Sequence, residues 1–241
     1  MHISILTLFP EMFTGPFQQS IIKRSIAKKK VSISFINIRD FAKDAYHSVD
    51  DRPFGGGVGM ILRVDIIDLA LQKALQAEHE RSKTRVVLLD PGGVPYVQKK
   101  ARELAGMEHL ILICGHYEGV DDRIRQLADE EISIGDYVLS GGEVPAMVIA
   151  DSVIRLLPGV LNQKVATERE SFETSTLEYP QFTRPRCYKG MKVPSIIIGG
   201  NHTKIAQWQT RESTIRTQKS RPDLLKPESH TVINKKKGRP S

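Results

Sequence analysis

Cysteine is scarce: in 241 residues only Cys114 and Cys187 occur. Cys114 ends an apolar run and Cys187 lies in a loop-like segment. Neither belongs to a CxxC pair or a Cys/His cluster, which argues against a disulfide framework or a zinc site. Long apolar runs are missing too, none reaching the roughly 18 residues that a membrane span needs. The opening MHISILTLFPEMF has neither a basic n-region nor a small-residue cleavage site, unlike a secretory signal. A soluble protein of a reducing, cytoplasmic compartment is expected. Neither G-x-G-x-x-G nor G-x-x-x-x-G-K-[ST] occurs, which withdraws support from a dinucleotide site or a phosphate loop. Acid is the minority charge: 35 Lys and Arg against 28 Asp and Glu give +7 and a pI near 9.4, which favours a polyanionic partner.

What is present is an α/β pattern. HISILTLF reads as a short strand, QQSIIKRSIAKKK carries apolar residues at helical spacing, and VSISFINI alternates like a second strand. The pattern returns as the amphipathic helix VDIIDLALQKALQAEHE, the buried strand RVVLL, the helix VPYVQKKARELAG and the buried strand HLILIC. A parallel, doubly wound domain to about residue 160 is expected. A helix opens near Val144, with Pro145 in its first turn, and stops at LPG, Leu157 to Gly159. Being apolar on nearly every face, it is expected to be buried. Residues 161–175 are polar and acid-rich and read as a linker. A small basic helical domain over 176–231 and a disordered basic tail at 232–241 follow.

Glycine-rich loops follow each of three strand-like runs: LLDPGG (Leu88 to Gly93), ICGHYEG (Ile113 to Gly119) and LSGGE (Leu139 to Glu143). In an open parallel sheet, loops at the carboxyl ends of strands line ligand pockets, and glycine lets a ligand lie against bare backbone. Each loop taken alone is equally ordinary turn chemistry. With no phosphate signature, the pocket suits a ligand without a polyphosphate. A fourth loop, DDRPFGGGVGM at Asp50 to Met60, would let a base or sugar-phosphate approach its backbone, and its Arg52 could reach a phosphate.

DRPFGGGVGM, CGHYEGVDDRI, SIGDYVLSGGE, RLLPGV, ESFETSTLEYPQFTRP and the GGNH…W run together resemble the bacterial tRNA (guanine-N1)-methyltransferases, the TrmD family of the knotted SPOUT class, in register from Met1 to about Leu225. The resemblance implies a SPOUT-type parallel sheet with a trefoil knot and a homodimer whose active sites use both chains. It also implies methyl transfer from S-adenosylmethionine to N1 of guanosine at tRNA position 37. The donor would be held by Leu89, Pro91, Gly93, Gly115, Tyr117, Glu118, Gly119, Ile134, Tyr137, Leu139, Gly141 and Gly142. Arg52, Gly57, Gly59, Arg184 and Arg211 would meet the tRNA. Mg²⁺ is implied as an aid to transfer, with no dedicated protein site.

Guanine N1 carries a proton, so its attack on a sulfonium methyl needs a base and a stabiliser of charge growing on O6. By resemblance, Arg155 stabilises O6; read alone, it is a cation complementing a helix C-terminus. The family's base is an aspartate before an SF pair. Here Glu170 precedes Ser171 and Phe172, with Glu168 as the alternative and a solvated acidic linker as the plain reading. Ala166 and Glu178 also depart from residues common in relatives. His47, His116 and His202 have no histidine or cysteine at i+3 or i+4 and are expected in polar or packing roles. Tyr179, Phe182 and Tyr188, interleaved with Arg184, Arg186 and Lys189, suit RNA stacking and grip. Trp208 is expected to pack the small domain, and Arg211, Arg216, Lys219 and Arg221 to face phosphates. Two rival readings stand beside this one: a non-catalytic nucleic-acid binder using KKKGRP, and a SPOUT enzyme acting on ribose or another nucleotide.

Overall fold

The computed structural model describes residues 1–77, 79–161 and 170–225. The chain divides between residues 164 and 165 into two compact units. The first contains strands β1 (His2–Thr7), β2 (Ser32–Asn37), β3 (Asp50–Asp51), β4 (Ile61–Leu62), β5 (Thr84–Pro95), β6 (His109–Cys114) and β7 (Glu130–Ser133). Its helices are α1 (Thr14–Phe17), α2 (Ser20–Ala27), α3 (Val64–Leu75), α4 (Gln98–Ala105) and α5 (Glu143–Ile154). Five strands form the expected parallel sheet in the order β2-β1-β6-β5-β7, while β3 and β4 pair as a short antiparallel ribbon.

The continuous apolar strands are explained by burial on both faces. Because successive side chains alternate, Ile3, Ile5, Val87, Leu89, Leu110 and Leu112 enter one core with Ala146, Ile149 and Val153 of α5. Leu6, Val86, Leu88, Ile111 and Ile113 enter the other with Ile66, Ile67, Ala70 and Leu71 of α3. Two expectations need correction. The helix expected from Val94 begins at Gln98, because Val94 and Pro95 still pair with Ile132 and Ser133 of β7. The helix expected to be wholly buried, α5, leaves Val144 and Val148 on one side 43% and 42% exposed.

The second unit carries a hairpin of β8 (Cys187–Tyr188) and β9 (Met191–Lys192), the short α6 (Ser195–Ile198) and the long α7 (His202–Ser220). Asn201 caps α7, its side chain accepting from the Lys204 N–H at 3.0 Å. Thr217 is the buried residue of this helix, and Trp208 packs beside Phe182 with ring centroids 6.4 Å apart. From Glu170 onward, inside the stretch expected as a linker, the chain is folded on itself. Phe172 N–H donates to the Thr176 carbonyl at 2.9 Å, and Glu178 N–H donates to Ser171 Oγ at 3.0 Å. Leu177 is then fixed to α7 through Thr217 Oγ1 at 2.9 Å and Ser213 Oγ at 2.5 Å. Ala166, Glu168 and the basic tail at 232–241 lie outside the described residues. Among the described residues no helix is long and apolar enough to cross a membrane.

At the amino edge of the sheet, His2, His79 and His109 gather with ring centroids 4.9–6.0 Å apart. Ser4 Oγ lies 2.9 Å from His109 Nε2. Burial, together with His2 and His79, holds the His109 imidazole down to about 4. An unfolded histidine titrates near 6.5, so between these values the unfolded chain binds more protons. The stability from a neutral His109 is therefore complete above about pH 6.5 and is lost as the pH falls toward 4. We expect His109→Gln to flatten the loss of stability between about pH 6.5 and 4 in urea titrations; an equally steep loss would place the acid sensitivity elsewhere.

Candidate functional site

The segments β6, β5 and β7 are neighbours in the sheet, so the loops leaving their carboxyl ends meet along one edge. The first is a bulge within the last part of β5: Leu89 and Val94 both pair with Ile132, so Asp90–Gly93 is extruded from the ladder. The second runs from Gly115 to Val120, with positive φ at Tyr117 (60°) and Gly119 (117°). The third, 134–142, returns over the second. Gly142 N–H donates to the Gly115 carbonyl at 2.7 Å, and Gly141 forms a bridge with His116. These loops enclose a cavity of about 240 Å³.

All the donor-site residues expected from sequence line this cavity, except Gly93. Gly93 stands against β7 instead, where a Cβ would come 2.5 Å from the backbone of Glu131 and Ile132. Sequence reasoning missed Asp90, Ser133, Gly135, Val138, Ser140 and Pro145, which also line the cavity. The glycine loops were the available signal, since these residues belong to them or flank them. At Gly142 a Cβ would lie 2.6 Å from Cys114 Cα and 2.9 Å from Gly115 N, both backbone atoms of β6 and the loop that follows it. At Gly141 it would meet His116 Nδ1 and Glu143 Oε2, each at 2.5 Å. Bare backbone is a steric necessity here.

Beneath this turn Glu143 is only 2% exposed. Thr7 Oγ1 donates to its Oε1 at 2.8 Å, and its Oε2 lies 3.8 Å from His116 Nδ1. Burial and the Glu143 carboxylate push the Cys114 thiol well up, so it stays protonated and is no nucleophile near neutral pH.

The fourth glycine loop is laced to the second. Glu118 N–H donates to the Met60 carbonyl at 3.1 Å, and Leu62 N–H to the Gly119 carbonyl at 3.0 Å. Gly59, with φ of 84°, packs so closely on Glu118 that a Cβ would meet its Cγ at 2.4 Å. Arg52 and Gly57 are exposed on the outer part of this loop. Arg155 follows α5 as its C-cap and is half-buried, its N–H donating to the Asp151 carbonyl at 3.1 Å. Glu170, Arg184 and Arg211 belong to the second unit. There Glu170 is half-buried, Arg184 is exposed before the hairpin, and Arg211 is exposed on α7. Lys189 Nζ sits 5.5 Å from the Tyr188 ring centroid. Among the described residues no group of His, Cys, Asp and Glu is arranged to hold a metal ion.

The profile of the tRNA (guanine-1)-methyltransferase TrmD family matches residues 1–227. The chain belongs to this family. It is 54% identical over 226 residues to a tRNA (guanine-N(1)-)-methyltransferase of Bacillus cereus, covering 93% of this chain and 92% of that protein. It is 51% identical to the same-named protein of Carboxydothermus hydrogenoformans, over 94% of this chain and 88% of that one. A Listeria monocytogenes relative of that name is 50% identical, over 94% and 92%.

For this TrmD-family chain, two glycines separate close approach from helix propensity. Gly142→Ala should cost about 1–3 kcal/mol by overpacking. Gly15, in α1 with nothing within 4 Å of an added Cβ, should tolerate Ala with a change of under about 1 kcal/mol. Urea denaturation of both variants checks this, and equal costs would contradict a steric origin for the bare turn.

Proposed function

We propose that this chain transfers a methyl group from S-adenosylmethionine to N1 of guanosine at position 37 of tRNA, beside the anticodon. The observation that carries this reading is the glycine-lined cavity at the carboxyl edge of the sheet, in a member of the TrmD family. Its exposed backbone and apolar lining suit a ligand with a flat base and no polyphosphate. When bound, the donor supplies an electrophilic methyl group on a sulfonium. The protonated Cys114 presents no competing thiolate to it.

Glu170 takes the N1 proton, and Arg155 stabilises the charge that develops on O6. Arg52, Gly57 and Gly59 of the first unit, and Arg184 and Arg211 of the second, meet the tRNA. The small apolar core of the second unit and its exposed cations support a polyanion as its natural covering. The proposal includes a homodimer with shared active sites: Val144 and Val148, one turn apart on α5, leave an apolar stripe for a second copy. It also includes the SPOUT trefoil knot, the domain boundaries near 160 and 175, and a cytoplasmic setting.

Labelled S-adenosylmethionine with tRNA transcripts carrying G or A at position 37, followed by nucleoside analysis, tests the reaction. N1-methylguanosine from the G transcript alone is the expected product; ribose methylation or another modified base would replace the assignment. Glu170→Gln should keep donor affinity while lowering single-turnover transfer by at least about 100-fold. An unchanged rate removes Glu170 from the mechanism.

A further inference from the structure

The Asp90–Gly93 loop forms one wall of the cavity yet lies outside the strand ladder, since its flanks Leu89 and Val94 both pair with Ile132. Its conformation therefore depends on side chains. The Asp90 carboxylate is the organising group. Its Oδ1 accepts the Gly92 N–H at 2.8 Å, which closes a local turn, and its Oδ2 lies 3.3 Å from Arg125 Nη2.

Arg125 joins this loop to two further elements. Its Nε donates to Asp122 Oδ1 at 2.9 Å, within the 3-10 turn Asp122–Gln126. Its Nη1 pairs with Glu131 on β7. One guanidinium thus spans three carboxylates, a task suited to its planar fork of donors and beyond a compact ammonium. Arg125 does not line the cavity, and its side chain is 32% exposed. Without it, Asp90 and Glu131 would lose the cation they share, and the loop its side-chain tie to β7.

We propose that Arg125 is a positioning residue of the donor pocket, holding Asp90 so that the Asp90–Gly93 wall is formed before ligand arrives; this rests on the reading that the cavity takes S-adenosylmethionine. Preforming a wall removes an ordering cost from binding and leaves the methyl-transfer step itself untouched. The effect therefore belongs in donor affinity and donor KM, with kcat changing far less.

Calorimetric titration of S-adenosylhomocysteine into the full-length protein, alongside steady-state kinetics, tests this. Arg125→Met should weaken binding and raise donor KM by about 10-fold, and Arg125→Lys should recover part of that loss. In an Asp90→Asn background, Arg125→Met should cost much less than it does alone, because the shared contact is already weakened. Normal affinity in Arg125→Met would overturn the proposal. So would parallel losses in kcat and KM that Lys does not rescue, or full additivity with Asp90→Asn. Wild-type protein that binds no S-adenosylhomocysteine would instead defeat the underlying assignment of the cavity.

Discussion

The site depends on one close approach, the Gly141–Gly142 turn laid directly on the end of β6. The Gly142 N–H to Gly115 carbonyl bond and the lack of room for any Cβ beside Cys114 bring two loops into backbone contact. From that contact follow the start of α5 at Glu143, the burial of that carboxylate against Thr7, and the cavity between the loops. A larger residue in the turn would move α5 as well as the pocket wall, because the helix begins where the turn ends. Fold and site are coupled at this point.

The two units divide the physical work. The first has two apolar cores, one on each face of a parallel sheet, and so presents a stiff edge from which short loops project. The second has a long helix with little apolar burial, capped by Asn201 and tied to the preceding segment by hydroxyl groups of Ser213 and Thr217. A stiff edge suits a small ligand that needs fixed backbone. A thinly cored, cation-bearing unit suits a large anionic partner that supplies additional contacts.

Much of this was legible in the sequence, because buried parallel strands such as RVVLL and HLILIC read as short apolar runs and their loops are marked by glycine. Features that depend on register were not. Gly93 sits in a glycine loop like its neighbours, yet its constraint is the backbone of β7, apparent only once Leu89 and Val94 are both seen to pair with Ile132. The apolar run of α5 predicted burial, whereas the helix covers one core and leaves Val144 and Val148 outside. Ser213 and Thr217 belong to no motif, yet they fix Leu177 from a segment far away in sequence. Arg125 stands just past CGHYEGVDDRI and outside it, and its value lies in three carboxylates that meet only after folding.

Amide hydrogen exchange with and without S-adenosylhomocysteine tests the central claim most directly. The account predicts slowed exchange concentrated in 89–93, 115–120 and 134–142, with the two cores behind them unchanged. Binding with protection elsewhere, or saturating ligand with no protection in these loops, would contradict the assignment of this cavity as the donor site.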